Sequence, residues 1–250
     1  MYSLTIVGGG NISCGYDNPK GNDILTHING ALHHPNIILN SIVEINEDRQ
    51  KYILNKWGNG FDIYSSLENS IDKHKSDIFI VATPTKLHFK VITDILSIYS
   101  PKLIICEKPI VSNLSELEKL NKLIKLHNIK IVTNYSRRFD KSLNVLKDKI
   151  LNANNKYHFY GTFTKGLIHN GSHMIDLINM LVGNIYNIES INKEIINDDI
   201  FGQFIVETDF CKGIISNIND DKLSVFELVI YTDLAKVIIV GENKGGIKFG

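Results

Sequence analysis

Short apolar runs, each cut off by turn residues and separated by stretches of helical periodicity, constrain the first half of this chain more than any other feature. Leu4 to Val7 meets Gly8-Gly9-Gly10, NIILNSIVEI spans 36–45, DIFIVATP spans 77–84, and KLIICEKP (102–109) and IKIVTNY (129–135) follow. Among the intervening helical patterns, SELEKLNKLIKLH (115–127) is the clearest: Ser115 with Glu118 reads as a capping box, and Leu117, Leu120 and Ile124 keep near-helical spacing. Strands that alternate with helices pair in parallel through right-handed crossovers, so residues 1–135 are expected to form a doubly wound α/β sheet. Ligands of such sheets lie at the carboxyl ends of the strands, which sets Gly8 to Gly10, Glu44, Thr83-Pro84 and Glu107-Lys108-Pro109 along one edge.

After about residue 136 the texture changes. A helical pattern over 139–151 leads to the strand-like YHFYGTF, and Met174, Leu177, Ile178 and Leu181 then mark an amphipathic helix ended by Gly183. GQFIVETDF, GIISNI, SVFELVIY and AKVIIVG are strand-rich and punctuated by turns. Residues 136–250 are therefore expected to form a smaller α+β domain with a mainly antiparallel open sheet. Its closing GGIKFG offers no evident final element, so the domain reads as shortened.

Lys plus Arg and Asp plus Glu balance at 27 each, which argues against a nucleic-acid or anionic-membrane surface and leaves room for a small anionic ligand. Cys14, Cys106 and Cys211 lack CxxC spacing and fit reduced thiols in a cytoplasmic protein. No segment approaches the ~20 apolar residues of a membrane span.

GGGNIS (8–13) fits G-x-G-x-x-G with Ser13 in the third place. Gly8 and Gly10 would let the backbone approach a pyrophosphate, and Asn11 and Ile12 stand where the amides of a helix N-terminus would meet its charge. A glycine turn without a ligand remains the alternative on the motif alone. Glu44, closing the second strand, adds an acceptor for ribose hydroxyls that repels a 2′-phosphate, favouring NAD over NADP. CGYDNPKGND (14–23) interrupts the usual passage from loop to helix, with the helical pattern resuming at about Ile24, and reads as a loop over cofactor or substrate. At the next-to-last strand end, Pro109 biases Lys108 toward an extended conformation that aims its side chain; the alternatives are a lysine that holds or protonates a substrate oxygen and an ion pair that caps the strand.

The glycine loop, ATPTKLH (82–88), EKP (107–109), NYSRRFD (134–140) and HNGSHMIDLINMLVG (169–183) occur in the order found in the Gfo/Idh/MocA oxidoreductases, which this chain resembles up to about residue 183. The resemblance implies a dinucleotide-binding domain and a second domain whose open sheet carries substrate contacts and often a subunit interface, in a homodimer or homotetramer. It implies catalytic roles for Lys108 and His173, cofactor contacts at Thr83, Pro84 and His88, and a ribose or nicotinamide-side contact at Glu107. The family's aspartate four residues before its histidine is replaced here by His169, for which Asn170 and Lys165 would compensate as substrate contacts.

His169, His173 and Asp176 have a spacing that brings three metal ligands together only on an early-starting helix; no metal is assigned, and Asp176 is expected to orient His173 or cap backbone amides. His27, His33, His34, His74, His127 and His158 are read as surface or packing residues. Arg137 and Arg138 read as a solvated pair, with Arg138 also a candidate substrate contact. The combined expectation is an NAD(P)-dependent oxidoreductase that moves hydride between nicotinamide and a hydroxyl or keto carbon of a sugar, sugar nucleotide or related small molecule. The rival is a non-catalytic NAD- or sugar-binding regulator of the same fold; a methyltransferase would share the glycine loop but not need Lys108.

Overall fold

A computed structural model describes residues 1–21, 23–153, 156–220, 222–241 and 247–249. The chain separates into two compact units, Met1–Asn134 and Tyr135–Gly250. In the first, β1 (Tyr2–Val7), β2 (Ile37–Val43), β3 (Asp62–Tyr64), β4 (Ile78–Val81), β5 (Leu103–Cys106) and β6 (Lys130–Thr133) form one parallel sheet in the order β3-β2-β1-β4-β5-β6. The order reverses at β1 and β4, the place where such sheets open a crevice. Alternation along the strands feeds two cores. Phe79, Val81, Ile104 and Cys106 pack with Ile92, Ile95 and Leu120 on one face, while Leu4, Ile6, Ile42 and Ile80 pack with Ile28, Ile53 and Trp57 on the other. Burial pushes the Cys106 thiol up to about 12, which removes it from nucleophilic chemistry at neutral pH.

The crossover helices are α1 (His27–His33), α2 (Glu47–Trp57), α3 (Leu67–Lys73), α4 (Thr85–Ile98) and α5 (Leu114–His127). Two sequence expectations are corrected here. The cap of α5 is Asn113, not Ser115: extended backbone at Asn113 (φ −158°) lets its side chain accept from Glu116 N at 3.0 Å, and the Glu116 carboxylate accepts from Ser112 N at 2.9 Å. Asn113→Ala should lower stability by about 1 kcal/mol in urea unfolding, and Ser115→Ala by much less; equal losses would return the cap to Ser115. The second correction concerns residues 14–26. A π-helical turn, Asn11–Gly15, follows the glycine loop, and α1 begins only at His27 under a Thr26 cap. Buried Asp17 gathers Leu25 N (2.6 Å), Thr26 N (3.0 Å), Thr26 Oγ1 (2.6 Å) and Asn29 Nδ2 (2.9 Å), closing the neck of the inserted loop.

Asp77 ties the start of β1 to the chain before β4. It accepts from Ser3 N and Ser3 Oγ at 3.0 Å and from Lys102 Nζ at 2.8 Å, and the Lys102 hydrogen bond, followed by those from Ser3, holds its carboxyl at about 2. A depressed carboxyl stabilises the fold above its ordinary value and loses that contribution as pH falls through the folded one. Stability should therefore decline from about pH 4 toward about 2, and Asp77→Asn should flatten that limb of a urea-midpoint profile. An unchanged acid slope would place its origin elsewhere.

The second unit is a sheet of β7 (Lys156–Thr164), β8 (Ile185–Ile196), β9 (Asp199–Thr208), β10 (Lys212–Ile218), β11 (Phe226–Thr232), β12 (Lys236–Gly241) and β13 (Ile247–Phe249), ordered β13-β12-β11-β7-β10-β9-β8. Among the described residues, only β7 and β10 pair in parallel. Helices α6 (Lys141–Leu151) and α7 (Ser172–Leu181) supply Leu143, Ile150, Met174, Leu177, Ile178 and Leu181 to a core with Phe159, Phe163, Val206, Ile215, Leu228 and Ile230. The alternate residues Tyr160 and Tyr231 remain partly exposed. Of the closing GGIKFG, residues 247–249 pair with β12, while 245, 246 and 250 lie outside the described residues. Among the described residues, no helix is long and apolar enough to cross a membrane.

Candidate functional site

At the end of β1 the backbone of Gly8 takes φ +101°, a conformation open to glycine and strained for other residues. Gly8 N donates to Val43 O at 2.8 Å, and a Cβ on Gly8 would stand 2.7 Å from Ala82 O, so the turn is wedged between its neighbouring strand ends. Gly10 is exposed, and a Cβ there would meet nothing within 4 Å, which leaves an open cradle beside the loop. Glu44 sits where β2 ends: its Oε2 accepts from Gly9 N at 2.8 Å and its Oε1 from Asn46 N at 2.8 Å. Each carboxylate oxygen retains a further lone pair for a hydroxyl donor. Gly10, Glu44, Arg49 and Tyr52 line a surface cavity of about 510 Å³.

Arg49, which sequence reasoning passed over, organises this cavity. Its Nε donates to Gly9 O at 2.5 Å, its terminal nitrogen to Asn11 Oδ1 at 3.3 Å, and its guanidinium carbon stacks 4.4 Å from the centre of the Tyr52 ring. Ile12 is half-buried against the core on its side of the sheet. At the end of β4, Thr83 Oγ1 is buried with no hydrogen-bond partner among the described residues, and Pro84 stands at the cap of α4. An orphaned hydroxyl at a strand end, an open glycine cradle and an acid at the next strand end fit a dinucleotide's phosphates and ribose. His88 differs from its expectation as a cofactor-lining residue. It is 1% exposed, and its two ring nitrogens lie 2.9 Å from Pro109 O and 2.8 Å from Thr83 O, so it braces the two loops.

Lys108, the second residue after β5, is half-buried, with a cis bond to Pro109. Its neighbour Glu107 is 15% exposed, and its Oε1 accepts from His27 Nε2 at 2.8 Å and Asn134 Nδ2 at 2.7 Å. Burial opposes ionisation of Glu107, but those two hydrogen bonds outweigh it and hold the carboxyl below the usual range. Of the histidines read as surface or packing residues, His27 is the one that holds Glu107, and His74 Nε2 is 2.7 Å from Asp62 Oδ2.

In the second unit, His173 is the second residue of α7, with its ring edge-to-face on Tyr135 at 5.6 Å. The preceding turn, Gly166–Gly171, is π-helical and leads straight into α7. Asp199 at the start of β9 pins it, accepting from Ile168 N at 2.8 Å and His169 N at 3.2 Å. Asn170 Nδ2 donates to Thr164 O at 2.9 Å, and Lys165, exposed at φ +62°, marks the strained corner between β7 and the turn. The Asp176 carboxylate is held by Arg138 Nε at 2.8 and 2.9 Å; burial raises its carboxyl and the guanidinium offsets only part of that. The two arginines are not a solvated pair: Arg138 engages Asp176, and Arg137 stacks 4.0 Å from the centre of the Phe226 ring.

A family model described as an oxidoreductase family with an NAD-binding Rossmann fold matches residues 3–135. The chain is 26% identical over 130 residues to myo-inositol 2-dehydrogenase of Thermotoga maritima, covering 50% of this chain and 38% of that protein. It is 31% identical over 97 residues to the rhizopine catabolism protein MocA of Rhizobium meliloti, covering 39% of this chain and 30% of that protein. The matches thus span well under half the length of these curated relatives. In fold it is similar to the WlbA dehydrogenase of Bordetella pertussis, whose crystal structure holds NADH and UDP-GlcNAcA, at a TM-score of 0.79 and 16% identity over 100% of this chain and 77% of that one.

Proposed function

Because the chain belongs to the Gfo/Idh/MocA oxidoreductase family, with its NAD-binding Rossmann fold, we propose that it is an NAD-dependent dehydrogenase acting on a hydroxyl-bearing carbon of a sugar, cyclitol or sugar nucleotide. The observation that carries the reading is Glu44 bonded to Gly9 N, which joins the ribose-accepting acid and the phosphate-cradling glycines in one cavity. Gly8, Gly10, Asn11, Ile12, Glu44 and Thr83 hold the dinucleotide in this reading, with Pro84 shaping the loop and Glu107 facing the ribose or nicotinamide side. The acid at Glu44 selects NAD over NADP. NAD bound there supplies the hydride acceptor.

Lys108 is the charged donor that stabilises the developing alkoxide, and His173 is the base that takes the hydroxyl proton near neutral pH. Tyr135, against the His173 ring, fixes its orientation. Arg138, Lys165, His169 and Asn170 are the substrate contacts of the second unit, residues 136–250 being the substrate and oligomerisation domain in a cytoplasmic homodimer or homotetramer. The sugar-nucleotide ligand of WlbA and the inositol activity of the Thermotoga relative support this substrate class. The test is thermal unfolding with NAD, NADH, NADP, NADPH and S-adenosylmethionine, then a turnover screen of cyclitols, sugars and sugar nucleotides. At 100 times Kd, NADH should stabilise by about 2.7 kcal/mol. No shift with any nicotinamide cofactor would overturn the reading.

A further inference from the structure

The turn that leads into α7 is held from two directions within the second unit. From one, the hairpin of β8 and β9 closes on Asn197-Asp198, whose φ values of +49° and +63° are those of a type I′ turn, and Asp199 pairs with Ile196 directly after it. The Asp199 side chain reaches the Gly166–Gly171 turn. Its Oδ1 accepts from Ile168 N at 2.8 Å and from Ile200 N at 2.7 Å, and its Oδ2 accepts from His169 N at 3.2 Å. The carboxylate packs directly on Gly166, where a Cβ would stand 2.0 Å from Asp199 Cγ, so glycine at 166 is a condition for seating it. From the other direction, the carbonyl of the same His169 accepts from Ser172 Oγ at 3.0 Å. A carbonyl cannot donate, so the one Ser172 proton is committed to it, and the side-chain hydrogen bond between Tyr135 and Ser172 takes its proton from the tyrosine. The Tyr135 ring in turn meets the His173 imidazole edge-on at 5.6 Å. The contacts therefore run in one series from Asp199 through His169, Ser172 and Tyr135 to His173.

We infer that Asp199 is a positioning residue for His173, acting through His169, Ser172 and Tyr135, a role that rests on the dehydrogenase reading in which His173 takes the hydroxyl proton. Without the carboxylate, the amides of Ile168 and His169 lose the acceptor that holds them. The corner before them is already strained, with Lys165 at φ +62°, and has less reason to persist once its support is gone. When His169 shifts, Ser172 loses the carbonyl it donates to, and the tyrosine that supports the His173 ring is released with it. A displacement of about 1 Å at a reacting group costs up to about 10²-fold in rate.

The test is a double-mutant cycle of Asp199→Ala and Ser172→Ala, which cut the same series at two points. Turnover is read with NADH affinity, and in the cofactor-free chain the modification of His173 by limiting diethyl pyrocarbonate is read by peptide mass spectrometry against exposed His34. Asp199→Ala should lower kcat by about tenfold with NADH affinity retained, and raise His173 labelling by about threefold. In the Ser172→Ala chain the same change should add less than about twofold to either readout, because the link it acts through is already broken. Full additivity of the two substitutions, or unchanged labelling and kcat in folded Asp199→Ala, would overturn the role. If alanine prevents folding, Asp199→Asn carries the same cycle with smaller effects: it keeps the volume and one accepting oxygen but sets an amide donor against one of the turn's N–H groups. Absence of wild-type turnover on every substrate would overturn the dehydrogenase reading alone, leaving the labelling cycle to decide this one.

Discussion

Lys108→Ala should reduce turnover by about 10²- to 10⁴-fold while NADH affinity changes little. The lysine follows β5 and is half-buried, where a positive charge acts on a developing alkoxide through a lower dielectric than water. It is not one of the groups forming the glycine turn or the Glu44 cavity, so the dinucleotide should still bind. Lys108→Arg keeps the charge but exchanges a compact ammonium for a planar fork and should recover only part of the rate. Steady-state turnover with calorimetric NADH titration checks both. An alanine variant retaining turnover within about threefold would remove Lys108 from the chemistry, and a chain whose ligand response survives while no substrate turns over would behave as a regulator of the same fold.

Gly8→Ala should destabilise the first unit by roughly 2–5 kcal/mol, the sum of a left-handed backbone for a residue with a Cβ and a collision that has nowhere to relax. The obstacles to that Cβ are Ala82 O at 2.7 Å, Ala82 C at 2.8 Å and Thr83 N at 2.9 Å, all backbone. Gly10→Ala makes the instructive partner. Gly10 has φ −66° and open space around its Cβ position, so alanine should leave the urea midpoint nearly unchanged yet weaken protection by NADH. Equal destabilisation by both variants would mean that the loop is built for folding alone.

Much of this architecture could be read before any coordinates. The parallel sheet followed from apolar runs whose spacing admits only crossovers, and the second sheet from turn-punctuated strands. β3 escaped because Asp62-Ile63-Tyr64 is too short to show a period. The α5 cap was misplaced by two residues because Ser115 and Glu118 satisfy the same pattern as Asn113 and Glu116, and only backbone conformation separates them. Glu44 and Lys108 stood out because strand ends are marked locally, and His173 stood out through the family resemblance of the stretch around it. His27 did not: it meets Glu107 80 residues away in sequence, and no local pattern records that contact. Arg49 was similarly silent, since its bond to Gly9 O depends on how α2 lies beside the glycine turn. Asp199, which pins the turn before His173, belongs to a strand that carries no motif.

The position of β7 has a consequence for how the protein is made. It is the first strand of its sheet to leave the ribosome, yet both neighbours come much later: Phe159 aligns with Gly213 of β10 on one side and with Ile230 of β11 on the other. Strands β8 and β9 can close as a hairpin meanwhile, but β7, with Phe159 and Phe163 among its buried residues, has no edge to join until β10 is synthesised. The first unit's strands find partners as they emerge, β2 on β1 and then β4 on β1. Nascent chains should therefore acquire the N-terminal sheet early and carry an unpaired, aggregation-prone β7 through the synthesis of residues 165–211.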